Sequence, residues 1–172
     1  MAVGAVTGFV IGGGGSRIAM RLIALADDRE DFGRITSAEA VVGEVTFGGT
    51  LDVLVKAGML LGVVGALIYL GVRRWLPANP LLRTIAFVWV IVGVGLFVIV
   101  EGNADDFTFL DLGLSLGLFG ATLLLFGLAV PPLVDRFAPP AVTRVGLATA
   151  LLLVVASCAG VLAVARALNL AP

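Results

Sequence analysis

Five apolar stretches, each long enough or nearly long enough to cross a bilayer, occupy most of this 172-residue chain, and short polar breaks separate them. A membrane core demands roughly 20 apolar residues of each spanning helix. Inside lipid every backbone amide must find its partner within its own segment, so apolar runs of this length fold as helices. The expected fold is therefore all-α: a single polytopic transmembrane helical bundle of five helices over residues 1–172. Composition agrees, since hydrophobic residues make up 60% and charged residues only 13%, against roughly 25% charged in a soluble domain.

The breaks set the expected helices at 2–26, 50–72, 82–100, 109–130 and 141–168. The first ends at Asp27-Asp28-Arg29-Glu30-Asp31 and the third at Glu101-Gly102-Asn103-Ala104-Asp105-Asp106. Arg73, Arg74 and Trp75 close the second with the basic and aromatic group of a membrane boundary. Pro77 and Pro80 then interrupt the chain, and Pro131-Pro132 is read as the stop of the fourth helix. Between helices 1 and 2, Thr36-Ser37-Ala38-Glu39 has capping-box spacing and predicts a short interfacial helix. Glu44 to Phe47 then alternates polar and apolar residues before Gly48-Gly49, which predicts a brief extended segment and a turn. The apolar run from Ala2 to Gly15 has no Lys or Arg before it, so it reads as a retained membrane helix rather than a signal peptide.

Charge and residue usage remove several functions. With 11 basic and 12 acidic residues, net charge −1, no basic excess attracts nucleic acid. Histidine is absent and Cys158 is the single cysteine, which removes a disulfide framework, thiolate zinc, bis-histidine haem and histidine-dependent catalysis. No cofactor or metal site is implied. Cys158 reads as a small buried apolar residue. The acidic groups at 27–31 and 105–106 lack the ordered spacing of a calcium loop.

Small residues suggest where helices meet. Gly4, Gly8, Gly12 and Ser16 recur every four residues on helix 1, and Gly58-x-x-x-Gly62 and Gly113-x-x-x-Gly117 repeat the pattern on helices 2 and 4. Such stripes let backbones approach closely, within the chain or between copies. The run Gly12-Gly13-Gly14-Gly15-Ser16 costs roughly 1 kcal/mol per interior glycine relative to alanine, and it lacks the spacing of a dinucleotide fingerprint. Leu61 to Ala66 resembles Leu116 to Ala121, as a duplicated two-helix unit or chance in a Leu/Gly/Ala-rich chain would produce.

Arg17 and Arg21 share a helix face near that glycine run, Asp52 and Lys56 share another on helix 2, and Asp111 opens helix 4. All five fall toward one side of the membrane. They form the candidate site: a charge network pairing the arginines with Asp52, Asp111 or Glu101, a lipid-headgroup or anion site, or a proton or ion path. The plainer alternative is that each snorkels to the headgroups. Across the membrane, Asp135 is the lone acid beside Arg73, Arg74, Arg83, Arg136 and Arg144. Loop residues alone favour a cytoplasmic N-terminus and an outside C-terminus, although counting Arg17, Arg21 and Lys56 reverses the balance.

Gly15-Ser16-Arg17-Ile18-Ala19-Met20-Arg21-Leu22, Gly43 to Thr50 and Arg73-Arg74-Trp75-Leu76-Pro77 together resemble a group of small polytopic bacterial membrane proteins, actinobacteria-like and without a known activity. The resemblance covers the first half, with Asp106-Phe107 and helix 4 matching more loosely. It implies a bacterial inner membrane and no catalytic residue or cofactor. Two function classes follow. One is a non-catalytic accessory or structural subunit, packed against other membrane subunits or its own copies within the lipid bilayer. The alternative is a small oligomeric transporter or channel using the intramembrane Arg and Asp residues.

Overall fold

The protein is described by a computed structural model covering residues 1–26, 33, 35, 46–102, 111–137 and 147–170. Among these residues it is an all-α bundle of five helices: α1 (Ala2–Ala26), α2 (Phe47–Val72), α3 (Pro80–Gly102), α4 (Leu112–Phe137) and α5 (Leu147–Leu170). The first four are long and apolar enough to cross a bilayer, and α5 carries the apolar run Leu151–Arg166. The interfacial helix expected over 36–42 and the first two residues of the expected extended segment, 44–45, lie outside the described residues.

Capping chemistry moves three helix starts from their expected places. Helix α2 begins at Phe47 because Thr46, in an extended conformation, accepts a hydrogen bond from Gly49 N at 3.1 Å. Phe47, Gly48 and Gly49 are thus the first helical turn, not a strand end and a turn. Asn79 caps α3 through Leu81 N at 2.9 Å, with Pro80 in the first helical position, where its missing N–H costs nothing. Asp111 caps α4, its Oδ1 accepting from Leu114 N at 2.6 Å.

The C-terminal end of α4 differs most from expectation. Pro131 and Pro132 do not stop it; the helix runs on to Phe137. A helix-interior proline costs about 3 kcal/mol, but here Val130, Pro131 and Val134 are buried. Val130 and Val134 pack in a core with Tyr69, Leu76, Phe87 and Phe126, joined by Val3 and Ile11 from α1 and Leu153 from α5. Packing against neighbouring helices is what lets membrane helices carry proline. The seven residues gained place Asp135 on a helix.

Helices α1 and α2 meet backbone to backbone. A Cβ on Gly4 would stand 2.5 Å from Ala66 Cβ, and one on Gly58 would stand 2.8 Å from Gly13 N and 2.9 Å from Gly8 O. A Cβ on Gly8 or Gly62 would collide with the other's backbone. Both helices widen into π-type turns here, over Gly8–Gly13 and Val53–Leu60. The i→i+5 bonding of such turns replaces the four-residue step with five, so Gly13 succeeds Gly8 in the contact. Gly12 and Ser16, expected on the stripe, are half-buried beside it.

A second close contact joins α3 and α5, where Gly93 lies against the Ala156 backbone and a Cβ on Gly160 would be 3.3 Å from Gly93 Cα. Ala156, Gly160 and Ala163 therefore define the inward face of α5. Cys158 falls on the other face and is exposed, correcting its expected burial. Gly113 and Gly117 are also exposed. A Cβ on Gly117 would meet nothing within 4 Å among the described residues. Helix α4 instead packs through Gly127 against Val88, Thr122 against Gly15 and Phe126 against Gly65. Gly62 and its counterpart Gly117 thus occupy unlike environments, whatever the origin of the Leu61–Ala66 similarity.

Because the α1–α2 contact is backbone on backbone, Gly62→Val is expected to lower the midpoint of thermal unfolding in detergent by ten degrees or more, or to prevent folding. Gly117→Ala should leave the midpoint unchanged or raise it, since alanine in a helix interior is more stable than glycine by up to roughly 1 kcal/mol. Tryptophan fluorescence during heating reads both.

Candidate functional site

The candidate charges divide by environment. Arg17 reaches across to the start of α2, donating from Nη2 to Thr50 Oγ1 at 2.7 Å and to Thr46 O at 3.5 Å. Thr50 Oγ1 in turn donates to Thr46 O at 2.8 Å, so one guanidinium fastens α1 to the first turn of α2. Arg17 Nε is buried with no hydrogen-bond partner among the described residues. Arg21 is exposed. Asp52 pairs along its own helix with Lys56 at 2.7 Å, on the outer surface. Asp111 is a helix cap, and Glu101 binds Arg166 of α5 at 2.8 Å.

The expected network is therefore not assembled: no ion pair joins Arg17 or Arg21 to Asp52, Asp111 or Glu101 among the described residues. The physical reason is competition. Asp52 has Lys56 one turn away, Asp111 has unbonded amides at the α4 N-terminus to satisfy, and Glu101 faces the end of α5. Arg17 is left with a hydroxyl and a carbonyl.

A different polar node lies at the opposite end of the bundle, where α2 ends, α3 begins and α4 ends. Asp135 Oδ2 accepts from Tyr69 Oη at 2.7 Å and from Arg83 Nη1 at 2.7 Å. Arg83 also donates from Nε to Pro77 O at 3.1 Å and from Nη2 to Ala78 O at 2.9 Å. One residue thereby fixes the α2–α3 connection and ties it to α4. Arg73 stands 4.0 Å from Asp135 Oδ1, and that oxygen is buried without a hydrogen bond among the described residues. Tyr69 is 0% exposed and Arg83 is 6% exposed. The Tyr69 ring meets Phe87 edge-on, centroids 5.0 Å apart. Beside the node, Arg74 stacks over Trp75 at 4.3 Å.

This node escapes a reading by motif. Asp135 stands out in the sequence as the lone acid on its side, but a helix stopped at Pro131 leaves it in a loop. Tyr69 is the only tyrosine, within an apolar helix, and a buried phenol needs a partner. Chemically the node is a carboxylate neutralised by arginine and capped by a phenol. The donors of Tyr69 and Arg83 point at Asp135 or at backbone carbonyls.

One further concavity, an apolar groove of about 400 Å³, lies between α3 and α5 along Trp89, Gly93, Leu96, Ala156 and Gly160. Ser157 on its wall donates to Leu153 O. Comparison of the chain with protein-family models, with curated proteins and with solved structures finds no match in any of the three.

Removing one charge of a buried pair strands the other, at a cost of about 3–5 kcal/mol. Asp135→Leu is expected to destabilise the bundle on that scale in mixed-micelle unfolding, and Tyr69→Phe by about 1.5–3 kcal/mol, one hydrogen bond to a charged group. The double variant Asp135→Leu/Arg83→Met should be milder than Asp135→Leu alone. Arg21→Ala, at an exposed position, should change little.

Proposed function

We propose that this chain is a non-catalytic integral membrane protein acting by packing, as an accessory or structural subunit of a membrane complex or as a homo-oligomer, in a bacterial cytoplasmic membrane. The observation that carries this reading is the use made of polar side chains. Arg17 fastens α1 to α2, Arg83 and Asp135 fasten α2, α3 and α4, and Arg166 with Glu101 joins α5 to α3. Each ties helices together, and among the described residues none converges on a space where a substrate would sit. The orientation proposed puts the N-terminus and the Arg73-Arg74 face in the cytoplasm, on the positive-inside rule.

The transporter or channel reading asks Arg17, Arg21, Asp52 and Lys56 to line one path. Within one copy Arg17 is engaged at the α2 cap and the Asp52–Lys56 pair lies on the outer surface, so such a path would need several copies. Native mass spectrometry of the protein purified from its host in mild detergent tests the packing reading. The expected particle contains more than one chain, with a foreign subunit or further copies. A particle with a single copy and no other protein overturns the reading.

A further inference from the structure

The Asp52–Lys56 pair is out of place on a bilayer-facing surface. Lys56 lies nine residues beyond Phe47, on the order of 13 Å along the helix. Its neighbours fix the height independently: Leu54 lies against Gly13 and Gly58 against Gly8 and Gly13, and Gly13 is next to the midpoint of Ala2–Ala26. The Lys56 backbone is thus near mid-height of the bundle. Its side chain is 74% exposed and that of Asp52 is 54% exposed, among exposed Val55, Met59 and Leu60. Leaning toward Asp52 carries the ammonium one turn toward the Phe47 end, but Asp52 itself is still five residues inside the helix. A lipid-facing Asp or Lys costs about 2.5–3.5 kcal/mol at the centre of the core. Arg83, by contrast, is covered by protein on every side its donors reach.

We propose that the α2 face formed by Asp52, Val55, Lys56 and Met59 is covered by the same face of a second copy of this chain. All four are exposed on α2, whereas Leu54 and Gly58 of the same segment meet α1. The occupant follows from charge. A stripe holding one acid and one base is its own complement, and a two-fold axis places identical patches together. Two copies inserted in the same orientation bring their α2 helices side by side at equal height. Each Lys56, already reaching one turn toward its own Asp52, is then one turn from Asp52 of the partner subunit. Four alternating charges share a dry contact, flanked by Val55 and Met59. The proposal rests on the packing reading above and names its surface.

Oxidative cross-linking in phosphatidylethanolamine/phosphatidylglycerol vesicles, beside native mass spectrometry of the same protein, tests it. Cys158 is the only cysteine and is exposed on α5, so the unaltered chain is the control for a different face. The expected result is a disulfide-linked dimer from Cys158→Ala/Met59→Cys and from Cys158→Ala/Val55→Cys, with little from the unaltered chain. The neutral variant Asp52→Asn/Lys56→Met should weaken dimerisation by at least about tenfold, 1.4 kcal/mol; undiminished dimerisation would overturn the role of the charges. An oligomer that cross-links through Cys158 and not through position 55 or 59 overturns the α2 surface and leaves the packing reading standing. Cross-links from 55 or 59 to a foreign protein overturn the second copy as occupant. A monomeric particle without cross-links overturns both.

Discussion

The close approach of α1 and α2 is the contact on which the rest of the bundle is built. Lipid tails are as apolar as leucine, so burial of hydrophobic surface does little to bring membrane helices together, and dispersion at short range must do more. Gly4, Gly8, Gly13, Gly58 and Gly62 remove the side chains that would hold the two axes apart. The π-type turns over Gly8–Gly13 and Val53–Leu60 lie within this contact. With the axes this close, Arg17 reaches the first turn of α2 and Gly15 meets Thr122 of α4. A wider separation would leave Arg17 without its hydroxyl and carbonyl partners.

At the other end α2 is held to α3 and α4 by a different force. There, Tyr69, Arg83 and Asp135 replace close backbone contact with short charged hydrogen bonds. The arrangement depends on α4 staying helical through two prolines, and α4 stays helical because Val130, Pro131 and Val134 are packed. Packing and polar bonding are therefore coupled: the core keeps the helix that carries Asp135, and Asp135 anchors the connection that returns Leu76, 0% exposed, to that core.

The bundle was legible in the sequence because apolar length is a property of each segment alone. Local capping was partly legible: Asp111 was visible as a charge at a helix start, but its service to the Leu114 amide follows from competition among unbonded amides, which spacing does not reveal. The stripe at Gly4 and Gly8 was legible as well. Its continuation at Gly13 was not, since the four-residue step assumes α-geometry throughout and the π-type turns over Gly8–Gly13 break that assumption. The charge network failed for a related reason. Which carboxylate an arginine meets is decided by tertiary distance, and Asp52 and Glu101 had nearer cations in Lys56 and Arg166. Asp135 was hidden by a rule about proline that holds in water and yields to packing in a helix bundle.

The surface of this protein inverts the usual reading of exposure. In a water-soluble domain exposed Leu, Val, Ile and Phe in quantity would point to a partner. Here they cover α1 through α5, and lipid is their ordinary neighbour, so they carry no such message. At the α1–α2 and α3–α5 contacts small residues are turned inward, because close packing rather than hydrophobicity brings these helices together. Information about partners resides instead in exposed polarity away from the helix ends. Glu101 and Arg136 stand at helix ends, and Arg21 and Arg166 are four or five residues from one, a depth from which a long arginine side chain reaches headgroups and water. The Asp52–Lys56 pair is the exception, and its cost falls if another protein surface replaces the hydrocarbon it faces.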